Sequence, residues 1–272
     1  MNSYNNWITS NVSQRLTNPL AKLKLDMKVP LFEQRNFHEC ASEAAQLIAK
    51  THDNIYVALS GGMDSEYIVR TFHKNNVPFT PIILECGNEI ERRYAFKVCE
   101  ELRLSPVVLH LSEEDMVDKF YESIHKKLNG VGYHATLVLA IAEYVYSKRG
   151  VLVTGDGFFG DGDELVTDTE FALYNEWDDY IDSLVDIDNI GFFLYTPQLL
   201  YSMFPKTYTA WNIIKTELYG IEYRRKMRPR YRDDTLNKLH SINSKVIYTL
   251  GNNICNVIYT KQEILEIFNT KE

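Results

Sequence analysis

Residues 60–65 read Ser-Gly-Gly-Met-Asp-Ser, two hydroxyls and one carboxylate around a pair of adjacent glycines. These types at this spacing suit phosphate chemistry. Glycine lets the backbone approach a ligand without Cβ obstruction, and N–H groups at the start of a helix point at an anion. Ser60 and Ser65 add hydroxyl donors. Asp64 adds a carboxylate that repels bare phosphate but can hold a magnesium ion bridging it. A second stretch, residues 151–165, reads VLVTGDGFFGDGDEL and gathers Asp156, Asp161, Asp163 and Glu164 among glycines. It is not a calcium loop of the EF-hand kind, because the closing glutamate counted from Asp156 falls on Thr167. A third group is basic: Arg224, Arg225, Lys226, Arg228, Arg230 and Arg232 crowd into nine residues, a density that marks either a solvated face or a phosphate site.

Apolar periodicity supplies the elements that must hold these groups. Phe37, Cys40, Ala41, Ala44, Leu47 and Ile48 recur at helical spacing up to about residue 52, and residues 55–59 then read as a short buried strand that the glycine pair ends. Residues 65–75 form a helix with Ile68, Val69 and Phe72 on one face, 81–86 a strand, and 90–103 a charged amphipathic helix. Residues 106–111 give a third strand, 112–149 hold two helical stretches, and 151–153 give a fourth strand. Strands alternating with helices imply right-handed crossovers and a doubly wound parallel sheet, an α/β fold. Beyond about residue 165 the pattern turns mainly helical and aromatic. The organisation expected is an N-terminal extension over 1–36, an α/β domain over 37–165 that carries the glycine loop, and a mainly helical C-terminal part over 166–272 that completes the site.

A chain of 272 residues can bury an ample core without staples. Its four cysteines never reach a C-x-x-C spacing, its histidines form no H-E-x-x-H, and no G-x-S-x-G elbow is present. Without a signal-peptide pattern or an apolar run of membrane-spanning length, a soluble cytoplasmic protein is expected. The formal charge of −8 excludes a wholly basic nucleic-acid binder, but the charge is segregated. Twelve carboxylates lie between Asp156 and Asp188, and no lysine or arginine lies between Arg149 and Lys206.

The stretch SGGMDS resembles the S-G-G-x-D-S signature of the PP-loop ATP pyrophosphatases, the adenine nucleotide α-hydrolase-like superfamily. Members cut ATP between its α and β phosphates, and the loop holds the leaving pyrophosphate. The resemblance implies ATP and Mg2+ as cofactors. It assigns Ser60, Gly61, Gly62, Asp64 and Ser65 to the nucleotide, with Leu59, Leu84 and Gly155 completing the set. Residues 151–165 are similar to the V-L-S-G-[DE]-G-x-D-E-L-F-G-G stretch of the asparagine synthetase C-terminal domain. There the metal-binding aspartate lies three residues after the position of Asp156, where this chain has Phe159, so a short insertion leaves Asp161 or Asp163 as the second metal ligand opposite Asp64. Asp163 is favoured because Glu164 and Leu165 continue the D-E-L run. By the same resemblance Asp156 helps handle the incoming nucleophile. The order Lys215, Leu218, Arg225, Lys226 resembles the family's K-x-x-L … R-x-K, which brings cations to the reacting phosphates.

What this implies is a synthetase that adenylates a carboxylate or amide oxygen, releases pyrophosphate, and passes the activated group to an amine or ammonia. Glutamine-dependent asparagine synthetases begin with a glutaminase domain whose nucleophile is an N-terminal cysteine. This chain begins Met1-Asn2, so ammonia taken directly, another nucleophile, or ammonia from a partner subunit is expected. A small-molecule substrate and no membrane partner are expected. Two alternatives share the loop: an ammonia-dependent NAD synthetase, and a nucleobase or tRNA modifier that reaches nucleic acid through the run 224–232. A non-catalytic nucleotide-binding protein on the same fold is the reading from a different class.

Overall fold

The structure, a computed structural model, describes residues 8–10, 25–27, 35–85, 89–112, 114–116, 118–119, 133–155, 189–203 and 211–221. A small antiparallel ribbon pairs β1 (Ile8–Ser10) with β2 (Leu25–Met27). Helix α1 (Phe37–Thr51) follows, started by Asn36, whose side-chain oxygen accepts from the amides of His38 and Glu39. The chain then alternates: β3 (Ile55–Ala58), α2 (Met63–Lys74), β4 (Thr80–Glu85), α3 (Glu89–Leu102), β5 (Val107–His110), α4 (Tyr133–Ser147) and β6 (Val151–Thr154). These are the strands and helices that the apolar periodicity predicts, displaced by a residue or two at their ends.

A five-stranded sheet runs in the order β5-β4-β3-β6-β7, with every neighbouring pair parallel. The fold is therefore α/β with a parallel sheet, as expected. The central strands β3 and β6 are buried almost throughout because both faces are covered. Ile55, Val57, Ile83, Val151 and Val153 point to the side of α1, α2 and α3, where Ala44, Ile48, Ile68, Phe72 and Val98 complete the larger core. Tyr56, Ile82 and Leu152 point the other way, onto Ile141, Ala142 and Val145 of α4. A side-chain period of two along each strand produces this division.

The fifth strand departs from the expectation. β7 (Asn189–Gly191) pairs with β6 in the register Val153↔Ile190 and leads into a 3-10 turn, Phe192–Leu194. The sheet thus draws a strand from the stretch expected to be mainly helical. Helices α5 (Pro197–Ser202) and α6 (Trp211–Tyr219) follow. Among the described residues no helix is long and apolar enough to cross a membrane.

The strand order fixes where a ligand can sit. From β3 the chain moves outward to β4 and β5, then returns to lay β6 on the opposite side of β3. The carboxyl ends of β3 and β6 flank this reversal, the usual ligand position in open parallel sheets. Residues 59–62 leave one of those ends and Gly155 leaves the other.

Candidate functional site

The loop after β3 is held by its own serines. Leu59 extends the ladder through its amide to Ile82 O at 2.9 Å, and its side chain is in the core, so any part it plays toward a nucleotide is a backbone one. Gly61 turns the chain at φ 82°, a left-handed value that costs a residue with a Cβ about 1–2 kcal/mol. Ser65 Oγ donates to Gly62 O at 3.0 Å, which uses its single hydrogen. It therefore accepts from both the amide and the hydroxyl of Ser60, each at 3.2 Å, and Ser60 Oγ in turn accepts from the Gly62 amide at 3.3 Å. Both hydroxyls predicted for phosphate binding are thus preorganised in one small network. The Ser60 proton can turn to an anion at the loss of one neutral hydrogen bond.

Helix α2 begins directly after this loop, with Gly62 at its N-cap and no capping side chain. The first amides of a helix lack intrahelical acceptors, and the helix dipole adds positive potential there. Asp64 lies in this first turn. Gly155 at the end of β6 closes on it: a Cβ built at Gly155 would lie 3.1 Å from the Cβ of Asp64. A side chain there would force one of the two segments to give by a few tenths of an ångström. Thr154, one residue earlier, carries a buried hydroxyl with no hydrogen-bond partner among the described residues. Leu84, at the carboxyl end of β4, is half-buried against the α4 side of the sheet.

The C-terminal contribution comes from α6. Lys215 Nζ lies 2.9 Å from Asp64 Oδ2, and the Tyr219 hydroxyl donates to Asp64 Oδ1 at 2.8 Å. The two residues are four apart, hence on one face of the helix. Lys215 is 8% exposed and Tyr219 7%. Tyr219 is stacked on Tyr67 at 4.6 Å between ring centroids, on Phe193 at 5.7 Å and on Phe37 at 5.8 Å. Aromatic pairs of this kind contribute about 0.5–1.5 kcal/mol each beyond burial. Burial, then the adjacent Asp64 carboxylate, drives the Tyr219 phenol well above its ordinary pKa, so it stays a proton donor. Burial alone pushes Tyr67 up to about 12.

The sequence-predicted residues Leu59, Ser60, Gly61, Gly62, Asp64, Ser65 and Gly155 therefore lie together at the carboxyl ends of β3 and β6, with Leu84 near the end of the adjacent strand β4. Lys215 joins them as the family order implies. Asp156, Asp161, Asp163, Arg225, Lys226 and the rest of the run 224–232 lie outside the described residues. Tyr219 is the residue that sequence reasoning missed. An aromatic at helical spacing reads as core, which it is, and nothing in the pattern marks its hydroxyl.

Magnesium is the one metal that the loop implies. Among the described residues no group of three or more acidic, histidine or cysteine side chains comes together, so these residues form no protein cage for an ion. A single carboxylate does fit magnesium, which typically takes one or two carboxylates and completes its shell with phosphate oxygens and water. Asp64 keeps unused lone pairs on both oxygens and a side chain 29% exposed.

No protein-family model and no curated protein matches the chain. Among solved structures it is similar to NMN synthetase from Francisella tularensis at 15% identity, with 80% of this chain and 97% of that one covered and a TM-score of 0.36. It is similar to the NH3-dependent NAD synthetase of Campylobacter jejuni at 11% identity, with 89% and 99% covered and a TM-score of 0.39. NAD+ synthetase from Burkholderia pseudomallei stands at 13% identity, with 83% and 90% covered and a TM-score of 0.32.

Proposed function

We propose that the chain is an ATP-dependent ligase of the PP-loop kind, which adenylates a carboxylate or amide oxygen and then transfers the activated group to ammonia or an amine. The observation that carries this reading is a buried lysine brought to the first turn of α2, above a Ser-Gly-Gly loop at the reversal point of a parallel sheet.

Each part has a task in that chemistry. The amides at the start of α2 and the hydroxyls of Ser60 and Ser65 hold the β and γ phosphates. Leu84 offers apolar surface to the adenosine end, and the unpartnered Thr154 hydroxyl a polar contact. The substrate oxygen attacks the α phosphorus in line as the bond to the bridging oxygen breaks, and its electron pair leaves with pyrophosphate. Lys215, already fixed beside the loop, stabilises that growing charge without reorganising. Ammonia or an amine then attacks the activated carbon, AMP leaves, and one proton is lost to a base, the role that the family pattern gives to Asp156. Magnesium bound by Asp64, with Asp163 or Asp161 as the second ligand implied by the resemblance, would neutralise the β and γ oxygens. Arg225 and Lys226 are assigned to the same phosphates.

The acceptor separates the readings within this chemistry. Residues 151–165 favour an asparagine synthetase-like amidation of a small carboxylate, supplied with ammonia directly or by a partner subunit. An ammonia-dependent NAD synthetase needs the same loop and the same two steps. The run 224–232 is the feature that favours a nucleobase or tRNA substrate. Incubating the full chain with ATP, magnesium and pools of amino acids, nicotinate nucleotides, nucleosides and RNA tests the reading. AMP and pyrophosphate formed with one pool support it and name the acceptor. ADP and phosphate as products overturn it, and nucleotide binding without turnover in any pool turns the chain into a non-catalytic binder.

A further inference from the structure

We propose that Tyr219 is a positioning residue: its hydroxyl holds the Asp64 carboxylate in the one orientation that presents Oδ2 to Lys215. What the Asp64–Lys215 pair is for rests on the function proposed above, but how it is held does not.

The hydroxyl cannot choose its direction. Tyr219 is stacked nearly parallel to Tyr67, Phe193 and Phe37, with interplanar angles of 19°, 16° and 27°. Tilting the ring would open that stack. The ring so held directs its hydroxyl at Asp64 Oδ1, 2.8 Å away. A carboxylate gripped at one oxygen has its χ2 rotation fixed, and the other oxygen then faces Lys215 Nζ at 2.9 Å. The far side of the contact is equally braced. Asp64 and Tyr67 are three residues apart on α2 and Lys215 and Tyr219 four apart on α6, so one polar and one aromatic contact staple the same two helix faces together. Tyr67 is itself tied to α1 through the His38 ring nitrogen Nδ1 at 3.0 Å from its hydroxyl. Lys215 alone could not achieve this, since an ammonium on a flexible stem accepts many carboxylate orientations.

Tyr219→Phe tests the inference because it keeps the ring and removes only the hydroxyl. The readout is the rate at which a water-soluble acylating reagent modifies Lys215 in the intact full-length chain, followed by peptide mass spectrometry. We expect roughly tenfold faster acylation in Tyr219→Phe than in wild type, the scale of one hydrogen bond to a charged group, with circular dichroism unchanged. An unchanged rate overturns the proposal. Asp64→Ala with Tyr219 intact provides the second arm. It should accelerate Lys215 acylation, and adding Tyr219→Phe to it should change nothing further. The same tenfold step on the Asp64→Ala background would mean that the hydroxyl acts through something other than Asp64, and the proposal falls. An ATP–magnesium titration of wild type is kept separate, so absence of binding there removes the nucleotide reading while the acylation rates still decide the role of Tyr219.

Discussion

Lys215 Nζ and Asp64 Oδ2 are 2.9 Å apart although 151 residues separate them in the chain. The pair joins the start of α2 to α6, and Lys215, at 10% side-chain exposure, is the more deeply buried partner. Removing one partner of such a pair leaves the other charge poorly solvated, which costs more than the pair itself contributes. Lys215→Met keeps the stem packing and removes the ammonium. It should lower pyrophosphate release by roughly a hundredfold or more, the scale seen when one preorganised donor is lost. Near wild-type release would end the assignment of Lys215 to the reacting phosphates.

Asp64→Ala should abolish the magnesium dependence of turnover together with most of the turnover, because the carboxylate in the first turn after the glycine loop is gone. Pyrophosphate release titrated against magnesium checks this. A variant that keeps both the rate and the metal dependence of wild type would detach Asp64 from the metal.

Two glycines separate backbone strain from close approach. Gly61→Ala places a Cβ at φ 82° and should destabilise the chain by about 1–2 kcal/mol in denaturant unfolding. Gly155→Ala carries no such conformational penalty. Its Cβ meets the Cβ of Asp64 at 3.1 Å, so one loop must shift by a few tenths of an ångström. The expected result is a small stability loss with a disproportionate loss of turnover, since catalytic positioning tolerates little displacement. Equal losses in both measurements would mean that the approach matters for packing alone.

How much of this was legible in the sequence depends on whether pattern or partner defines the feature. β3, β6 and the middle of β4 are buried in the sheet centre, and β5 at its edge is half-buried, yet each carries an apolar run of three or more residues that announces itself. The Ser-Gly-Gly-Met-Asp-Ser loop is six consecutive residues and is visible because they are consecutive. β7 is different: Asn189–Gly191 has one apolar residue in three and becomes a strand only because β6 offers it an unpaired edge. The ribbon of β1 and β2 is likewise two short segments defined by each other. In the site, Lys215 was reachable through a family pattern, whereas Tyr219 was not, because its role lies in the direction of one O–H bond fixed by three rings from distant parts of the chain.

Stability should fall on the alkaline side. In the folded chain burial holds Tyr67 near 12 against an ordinary value of 10, and Tyr219 is raised as well. A tyrosine whose folded pKa is raised binds its proton more tightly in the native state. Its contribution is therefore complete below about 10 and is lost as pH climbs through about 12. Denaturant midpoints measured across that interval should decline, with tyrosinate absorbance rising on unfolding. Tyr67→Phe should show a shallower decline, and an identical slope would mean that other groups govern the alkaline limb.

The run Arg224, Arg225, Lys226, Arg228, Arg230 and Arg232 can serve two masters, and its salt response tells them apart. If Arg225 and Lys226 act on the reacting phosphates, replacing both with alanine should lower kcat strongly while the outer arginines matter little, since the contribution arises mainly in the transition state. If the run instead follows a nucleic-acid backbone, alanine at Arg224, Arg228, Arg230 or Arg232 should each weaken RNA binding by a similar factor. Each should also reduce the slope of affinity against salt by about one unit per phosphate contact removed. Titrations against labelled RNA and DNA at two salt concentrations, run beside pyrophosphate release for the same variants, separate the two. The net charge of −8 opposes a polyanion everywhere except at this run, so the expected result is loss of turnover confined to Arg225 and Lys226 with no salt-sensitive binding. Salt-sensitive RNA binding spread evenly over the outer arginines would move the substrate from small carboxylates to nucleic acid.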